Sequence, residues 1–351
     1  MTQPQYQKIT LLVHAGAGSG TGGTVAPQVA EGLRAGFPDA EIEVVETKSK
    51  QHIEDIGRSS TAEAILCLTG DGSIHDLAQG LMARPRSERP VVGMIPAGSG
   101  NDYARTLGMP LDPLKAVEAL PGCRPVRADV GHVNTGADSV YFLQTLSFGV
   151  DAAVALNTED LRRSTRSRGL GLYARAAIDA ILHEFDAHEV AVRAQDRNGG
   201  EEREFSLKAL ILAVQNGPTY GSGFKVAPRA NITDGILDVA LISGIGKPTA
   251  LYYLSRIQRG THERLRGVMS FRTSRLELKF TEQLPIQCDG ERLLGHEFAI
   301  AVVPDAIDVL ATPEAPACVQ QGVNADANMD VSTDANTYAN EDVSTDADTG
   351  K

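Results

Sequence analysis

The stretch Ala64-Ile-Leu-Cys-Leu-Thr-Gly-Asp-Gly-Ser73 joins a short apolar run to a glycine-rich turn, and a helical pattern then continues to Met82. This order predicts a buried strand, a loop and a helix. The same order occurs three more times, with the following apolar runs and helical segments: Ile9–Val13 and Val25–Leu33, Ile42–Val45 and Ile53–Ser60, Val91–Ile95 and Asp102–Leu107. Four such units predict an α/β fold with an N-terminal, doubly wound parallel sheet. Ligands of these sheets bind beyond the carboxyl ends of the strands.

From about residue 125 the pattern changes, because strand-like segments follow one another with few helices between them. They lie near residues 124–133, 140–148, 189–195, 205–215, 236–242, 268–280 and 297–303. This pattern predicts a β-rich second domain. We therefore expect an α/β domain over residues 1–130, rejoined by residues 304–313, and a β-rich domain over residues 131–303, with a cleft between the two.

The chain of 351 residues carries a formal net charge of −12, and much of this charge lies in residues 314–351. Eight acids there stand against one lysine, large apolar residues are few, and Asp330-Val-Ser-Thr-Asp-Ala335 recurs as Asp342-Val-Ser-Thr-Asp-Ala347. Such a segment cannot bury enough apolar surface to fold, so we expect a disordered acidic tail over residues 314–351. The net negative charge also argues against nucleic-acid binding.

The sequence shows no sign of membrane insertion or export. No apolar run reaches the length of about 18 residues that indicates a membrane-spanning helix, and the first residues lack the basic region and cleavage site of a signal peptide. The four cysteines lie far apart without a Cys-x-x-Cys pair, which disfavours disulfides and structural zinc. We therefore expect a cytoplasmic protein without a transmembrane segment.

Two glycine-rich loops follow neighbouring strands of the predicted sheet. The first contains Gly70, Asp71, Gly72 and Ser73, and the second contains Gly98, Ser99, Gly100, Asn101 and Asp102. Glycine lets the backbone approach a phosphate closely, and the N–H groups at a helix start attract anions. Each loop alone could be an ordinary turn. Two such loops at the same edge of a sheet predict a nucleotide-phosphate site.

These residues resemble the diacylglycerol kinase and lipid kinase family, which shares its catalytic domain with sphingosine kinases and, more distantly, with NAD kinases and 6-phosphofructokinases. Residues 69–81 are similar to the family motif G-G-D-G-T-x-N-E-V-x-N-G-L, and residues 95–105 to P-x-G-T-x-N-D-F-A-R. Residues 224–239 resemble A-P-x-A-x-x-x-D-G-x-L-D-V, and Cys288-Asp-Gly-Glu291 contains the late D-G-E motif. The four segments occur in the family's order.

The resemblance implies ATP-dependent phosphorylation of a lipid hydroxyl, with diacylglycerol as the first candidate and a sphingoid base or another lipid alcohol next. ATP would bind both glycine-rich loops with further contacts at Thr47, Gly16 and Gly18, and Mg²⁺ would offset the phosphate charge. Either Asp289 or Glu291 would accept the proton of the attacking hydroxyl, and the sequence leaves open which of them does so. The implied fold is an N-terminal sheet like that of NAD kinases and phosphofructokinases with a β-rich lipid-substrate domain.

The same resemblance implies four metal-binding positions. A structural Mg²⁺ would be held by the Asp234 carboxylate and by main-chain carbonyls at Asn231 and Ile236, because hard cations prefer oxygen ligands. Asp129 would join the acids of the two loops in a network of water and Mg²⁺ near the phosphates. On the residues alone, a type I turn around Asp234 is the simpler interpretation.

Three positions depart from the family pattern: Thr69 replaces the first glycine, His75-Asp76 replaces Asn-Glu, and His14 replaces the asparagine of the opening loop. Two alternatives stay open. One is an NAD kinase-like enzyme acting on a soluble substrate, whose own Gly-Gly-Asp-Gly loop would explain Gly70–Gly72; the other is a non-catalytic module that binds nucleotide or lipid, which the Thr69 and His14 departures favour. The preferred interpretation is a lipid kinase that works peripherally at the inner membrane face on a lipid at the membrane surface. Such an enzyme could form a homodimer.

Overall fold

The computed structural model describes residues 6–164, 170–195 and 202–319. The α-helices are α1 (Ala17–Gly36), α2 (Lys50–Ser59), α3 (Asp71–Met82), α4 (Asp102–Thr106), α5 (Pro113–Ala119), α6 (Val150–Ser164), α7 (Leu170–His183) and α8 (Lys247–Arg259). Short 3₁₀ turns lie at Arg86–Glu88, Leu120–Gly122 and Ala317–Val319. Within the described residues, no helix is both long enough and apolar enough to cross a membrane.

The strands are β1 (Lys8–Val13), β2 (Glu41–Glu46), β3 (Ala64–Thr69), β4 (Val91–Pro96), β5 (Arg124–Asn134), β6 (Ser139–Phe142), β7 (Thr145–Gly149), β8 (His188–Gln195), β9 (Arg203–Ala209), β10 (Ile211–Gln215), β11 (Leu237–Ile242), β12 (Val268–Thr273), β13 (Arg275–Cys288) and β14 (Glu291–Ala311). The main path through the sheet they form has the order β12-β11-β10-β7-β13-β14-β4-β3-β1-β2. The fold is the predicted combination of an N-terminal parallel sheet and a β-rich second half.

The first four strands pair in parallel in the order β2-β1-β3-β4. The apolar runs of β1 and β3 are buried, which explains why they read as continuous rather than alternating patterns. α2 and α3 pack closely on each other because Gly80 has no side chain: a Cβ there would lie 2.0 Å from the Glu54 carbonyl oxygen. Since the four strands run in the same direction, the loops that follow them meet at one edge of the sheet.

The helix after β1 begins earlier than its apolar spacing predicts. The spacing of the apolar residues predicts a helix at residues 25–33, whereas α1 starts at Ala17, inside the glycine-rich stretch. Gly18 and Gly20 have φ values of +58° and +99°, which glycine adopts readily and other residues rarely do. The first turn of α1 is therefore irregular, and it brings this glycine-rich stretch close to the end of β4.

The remaining strands pair in antiparallel fashion, and β14 joins them to the parallel sheet. Near its end, Val309 of β14 pairs in parallel with Val92 of β4, while Ile307–Ala311 pairs with Arg124–Ala128. The buried residues of this last segment belong to the same core as β1, β3 and β4. The chain thus returns to the N-terminal sheet after the β-rich half, although the domain limits predicted above stay a prediction.

The expectation of a tail that begins at residue 314 is wrong for its first six residues. Ala315, Cys318 and Val319 are buried in the core of the parallel half, and the Ile232 N–H donates a hydrogen bond to the Cys318 carbonyl at 3.0 Å. The apolar residues between the acids at 314 and 326 explain this packing. The rest of the expected tail, residues 320–351, lies outside the described residues.

We predict that two truncations affect stability differently. A chain ending at Val319 should keep the melting temperature of the full chain, because the acidic segment offers little apolar surface to bury. A chain ending at residue 313 should melt several degrees lower, since burial of Val319 alone contributes about 2 kcal/mol. Thermal unfolding of both forms checks this. Equal melting temperatures for the two truncations would contradict the packing of residues 314–319.

Candidate active site

The loops after β1, β2, β3 and β4 are joined by backbone hydrogen bonds at the carboxyl edge of the sheet. The His14 N–H donates to the Leu68 carbonyl at 3.1 Å, and the Thr47 N–H donates to the Val13 carbonyl at 2.8 Å. His14 Nδ1 and Thr47 Oγ1 lie 3.0 Å apart. Thr47 therefore lies at the predicted edge of the sheet, and the His14 departure from the family motif is accommodated by this side-chain contact.

The two predicted phosphate loops touch each other through glycines. A Cβ added to Gly98 would lie 2.5 Å from Gly70 Cα, and one added to Gly70 would lie 3.0 Å from Gly98 Cα. Any side chain at Gly98 would force the loops apart. A Cβ on Gly18 would lie 2.3 Å from the Ala97 carbonyl oxygen, so the start of α1 closes the same edge, with Gly16 at its N-cap.

Hydrogen bonds within the second glycine-rich loop fix its conformation. Asn101 has φ 57° and ψ 39°, a left-handed conformation that asparagine tolerates better than most residues. Its Oδ1 accepts the Gly98 N–H at 2.8 Å, and its Nδ2 donates to the Gly98 carbonyl at 3.0 Å. These bonds lock the turn that contains Ser99 and Gly100, and α4 starts immediately after it.

Asp71 and Asp102 anchor the two loops. Asp71 Oδ1 accepts the Tyr103 N–H at 3.1 Å, which ties the start of α3 to α4. Asp102 accepts the N–H groups of Ser222 and Gly223, both at 2.7 Å. A Cβ on Gly100 would lie 2.8 Å from Asp71 Oδ2 and 3.2 Å from Asp102 Oδ2, so both carboxylates lie under the second loop.

Both carboxyl groups hold their protons more strongly than exposed acids do. Burial raises the pKa of Asp102 to about 7, with a further increase from the charge of Asp71. Burial also raises the pKa of Asp71, although N–H groups of the second loop oppose this shift. Two buried acids beside each other favour a nearby cation, which is the environment that a phosphate-bound divalent metal would complete.

Asp289 lies in the tight turn that joins β13 to β14, and Glu291 is the first residue of β14. Cys288 pairs directly with Glu291, and Asp289 and Gly290 form the turn with φ values of 48° and 96°. An Asp-Gly pair suits such a turn because both central residues need positive φ. The hairpin places the two acids in different surroundings.

Asp289 is almost fully enclosed and already has four hydrogen-bond partners. Its carboxylate accepts the N–H groups of Leu143 at 2.6 Å, Gln144 at 3.0 Å and Thr145 at 2.9 Å. His75 Nδ1 lies 3.2 Å from Asp289 Oδ2. His75 thus joins α3 to the hairpin, which accounts for the histidine at this departure from the family motif.

Glu291 instead reaches outward, with 45% of its side chain exposed. Lys50, at the start of α2, places Nζ 3.2 Å from Glu291 and 3.3 Å from Asp76. Burial alone would lower the pKa of Lys50, but the two carboxylates outweigh it and the pKa is raised. Lys50, which the sequence did not single out, therefore orients Glu291 across the gap between α2 and the hairpin.

The four predicted metal positions lie together around one turn. Asp129 accepts the Gly235 N–H at 2.6 Å and the Asp305 N–H at 2.9 Å. Asn231 Oδ1 accepts hydrogen bonds from Thr233, and Asp234 accepts the N–H of Ile236 at 3.1 Å. Within the described residues, no group of three or more His, Cys, Asp or Glu side chains is arranged to hold a metal ion.

An apolar cavity lies between α6, α7, α8 and the sheet, beside the second loop. Its wall includes Tyr173, Gly221 and Phe224, with the buried Asp151 and His262 among the apolar residues. Burial raises the pKa of Asp151 to about 7 and lowers the pKa of His262, so the apolar surroundings disfavour the charged form of each group. Scattered apolar residues form this wall, and no motif in the sequence marks them.

Comparison with known proteins identifies the class. Residues 8–133 match the model of the diacylglycerol kinase catalytic domain, and residues 144–311 match the model of the YegS C-terminal NAD kinase beta sandwich-like domain. Together these two models span most of the chain and define a lipid kinase architecture. The chain belongs to the diacylglycerol kinase-like family of lipid kinases.

Individual relatives agree with this assignment. A probable lipid kinase YegS-like protein of Yersinia enterocolitica is 29% identical over 252 residues, which cover 72% of this chain and 79% of that protein. One of Serratia proteamaculans is 29% identical over 246 residues, covering 70% and 75%. A diacylglycerol kinase structure from Bacillus anthracis matches with a TM-score of 0.65 at 20% identity, covering 90% of this chain and 100% of that chain, which shows the shared fold.

We predict that Gly98→Ala disrupts the contact between the two loops. Its Cβ would collide with Gly70, and overpacking of this kind costs about 1–3 kcal/mol, so the melting temperature should fall and ATP should bind more weakly. Gly122→Ala is the matched control, because no atom lies within 4 Å of a Cβ there. Calorimetric unfolding and ATP titration check both variants. A Gly98→Ala protein that matches the control in both measurements would contradict the loop contact.

Proposed function

We propose that the protein transfers the γ-phosphoryl group of ATP to a lipid hydroxyl, with diacylglycerol as the first candidate substrate. The observation that carries this proposal is the apolar cavity, which the segment 220–224 connects to the second glycine-rich loop. Residues 220–224 join the two: Ser222 and Gly223 bind Asp102, while Tyr220, Gly221 and Phe224 line the cavity. An apolar chain held there would bring its polar end towards the loops.

ATP would bind at the carboxyl edge of the parallel sheet, with its phosphates against the N–H groups of both loops. The start of α3 offers N–H groups near Gly70 and Gly72, and the second loop adds those at Ser99 and Gly100. Mg²⁺ bound with ATP would offset the charge that develops on the phosphates during transfer. The raised pKa values of Asp71 and Asp102 fit a site that gains a cation together with its nucleotide.

Of the two acids on the hairpin, Glu291 is better suited to the role of proton acceptor. Asp289 is enclosed and saturated by three backbone N–H groups and His75, so it fixes the hairpin in place. Glu291 is half-exposed and has Lys50 as an orienting partner. The lipid hydroxyl would give its proton to Glu291 as its oxygen bonds to the γ-phosphorus, while the bond from that phosphorus to the β–γ bridging oxygen breaks and ADP leaves.

A kinase of this kind meets its substrate at a membrane, and we propose peripheral binding at the inner face of the membrane. A homodimer stays a prediction from the sequence. The identity of the lipid is tested by incubating the protein with γ-labelled ATP, Mg²⁺ and vesicles that contain diacylglycerol, a sphingoid base or a prenyl alcohol. Label should enter the lipid fraction most strongly with diacylglycerol. Label that enters only NAD or another soluble acceptor would contradict the proposal.

The roles of the two hairpin acids predict distinct mutant behaviour. Glu291→Gln should lower kcat by about 10²–10⁴-fold, the usual contribution of a general base, with little change in melting temperature. Asp289→Asn should lower the melting temperature, because its amide NH₂ would face backbone donors that now bind a carboxylate. Initial-rate kinetics and thermal unfolding of both variants measure this difference.

Glu277→Gln serves as the control for charge removal, since Glu277 is an exposed acid on β13. It should keep both the rate and the melting temperature of the parent. If Glu291→Gln retains activity within a few-fold of the parent, Glu291 is not the base. If Asp289→Asn melts like the parent yet loses activity, Asp289 takes that role instead.

A further inference from the structure

The turn at residues 231–236 does not fit the metal site that the family resemblance implies. The implied site has one side-chain ligand, the Asp234 carboxylate, and its Oδ1 already accepts the Ile236 N–H within the turn. The remaining carboxylate oxygen of Asp234 contacts the guanidinium of Arg272. A Mg²⁺ ion at this carboxylate would have to approach beside an existing positive charge, which the Coulomb interaction opposes.

Arg272 reaches this position because of the strand register. β11 and β12 pair in antiparallel fashion with Asp238 directly opposite Arg272, and side chains at opposed positions lie close enough to interact. Arg272 Nε lies 3.6 Å from Asp238 Oδ2 while the end of the same guanidinium contacts Asp234. One arginine therefore bridges two carboxylates, each with about a tenth of its side chain exposed.

Two arginines stabilise the charged form of Asp238, and Arg272 contributes more than the exposed Arg229 does. Asp129, a β5 residue next to the turn, has its two oxygens bound by the N–H groups of Gly235 and Asp305. Among the described residues, Asp238 Oδ2 has no hydrogen-bond partner. A buried carboxylate without a compensating charge is strongly unfavourable, so removal of Arg272 would take away the cation that contacts both Asp234 and Asp238.

We propose that Arg272 replaces the structural divalent cation in this chain, so that the Asp234 turn is held by a guanidinium and needs no metal. The positive charge comes from β12 rather than from solution. This inference does not depend on the proposed function, because the turn can be tested without nucleotide or lipid.

The test uses the full-length, nucleotide-free protein. Its melting temperature should be the same in EDTA and in millimolar Mg²⁺ or Ca²⁺, and protein dialysed against metal-free buffer should contain far less than one divalent ion per chain. Arg272→Met keeps the apolar stem and removes the charge, so it should lower the melting temperature by about 5 °C or more in EDTA. Arg275→Met, an exposed arginine at the start of β13, is the matched control and should melt like the parent.

Two results would overturn the proposal. One is a divalent ion retained at one per chain, or a Mg²⁺-dependent rise in the parent's melting temperature that Asp234→Asn abolishes. The other is an Arg272→Met protein that melts like Arg275→Met. A Mg²⁺ effect of the same size in Asp234→Asn would come from another site, and the comparison of Arg272→Met with Arg275→Met in EDTA then decides the question. If Arg272→Met does not fold, the metal content of the parent protein and its melting temperatures with and without EDTA still decide the question. These two measurements do not depend on kinase activity.

Discussion

The structure depends on the close approach of Gly70 and Gly98. These residues follow adjacent parallel strands, and the two loops can touch because Gly98 has no side chain: a Cβ there would lie 2.5 Å from Gly70 Cα. The contact holds the two strand-to-helix connections side by side at the carboxyl edge of the parallel sheet. It also places Asp71 beneath the second loop, and Asp102 then extends the connection to the β-rich half through Ser222 and Gly223.

Much of the fold could be predicted from local sequence, because the buried parallel strands consist of continuous apolar runs and the loops after them are rich in glycine. The hairpin of β13 and β14 is harder to predict from the sequence, because Pro285 and several charged residues interrupt the strand pattern. The residue pairing between these two long strands could be determined only from the structure. The first residues of the expected tail were misjudged because composition over a 38-residue window hides the three apolar residues that pack on the core.

For the candidate site, sequence reasoning found the acids but not their environments. Cys288-Asp-Gly-Glu291 was compatible with an exposed turn, and the structure does contain a turn there; what the sequence could not show is that one acid is enclosed and the other open. Lys50 could not be predicted as a site residue, because a lysine at the start of a helix belongs to no recognisable motif. The partner of Asp234, Arg272, lies 38 residues away in the chain, and only the pairing of β11 with β12 brings them together.

The central claim is that both glycine-rich loops form a single ATP phosphate site. Amide hydrogen exchange of the protein with and without Mg·ATP tests it directly, because bound phosphates would protect the N–H groups that they engage. The account predicts that ATP slows exchange in residues 70–73 and 98–102 together, with the same dependence on ATP concentration. Protection confined to one loop, or located away from the carboxyl edge of the parallel sheet, would contradict it.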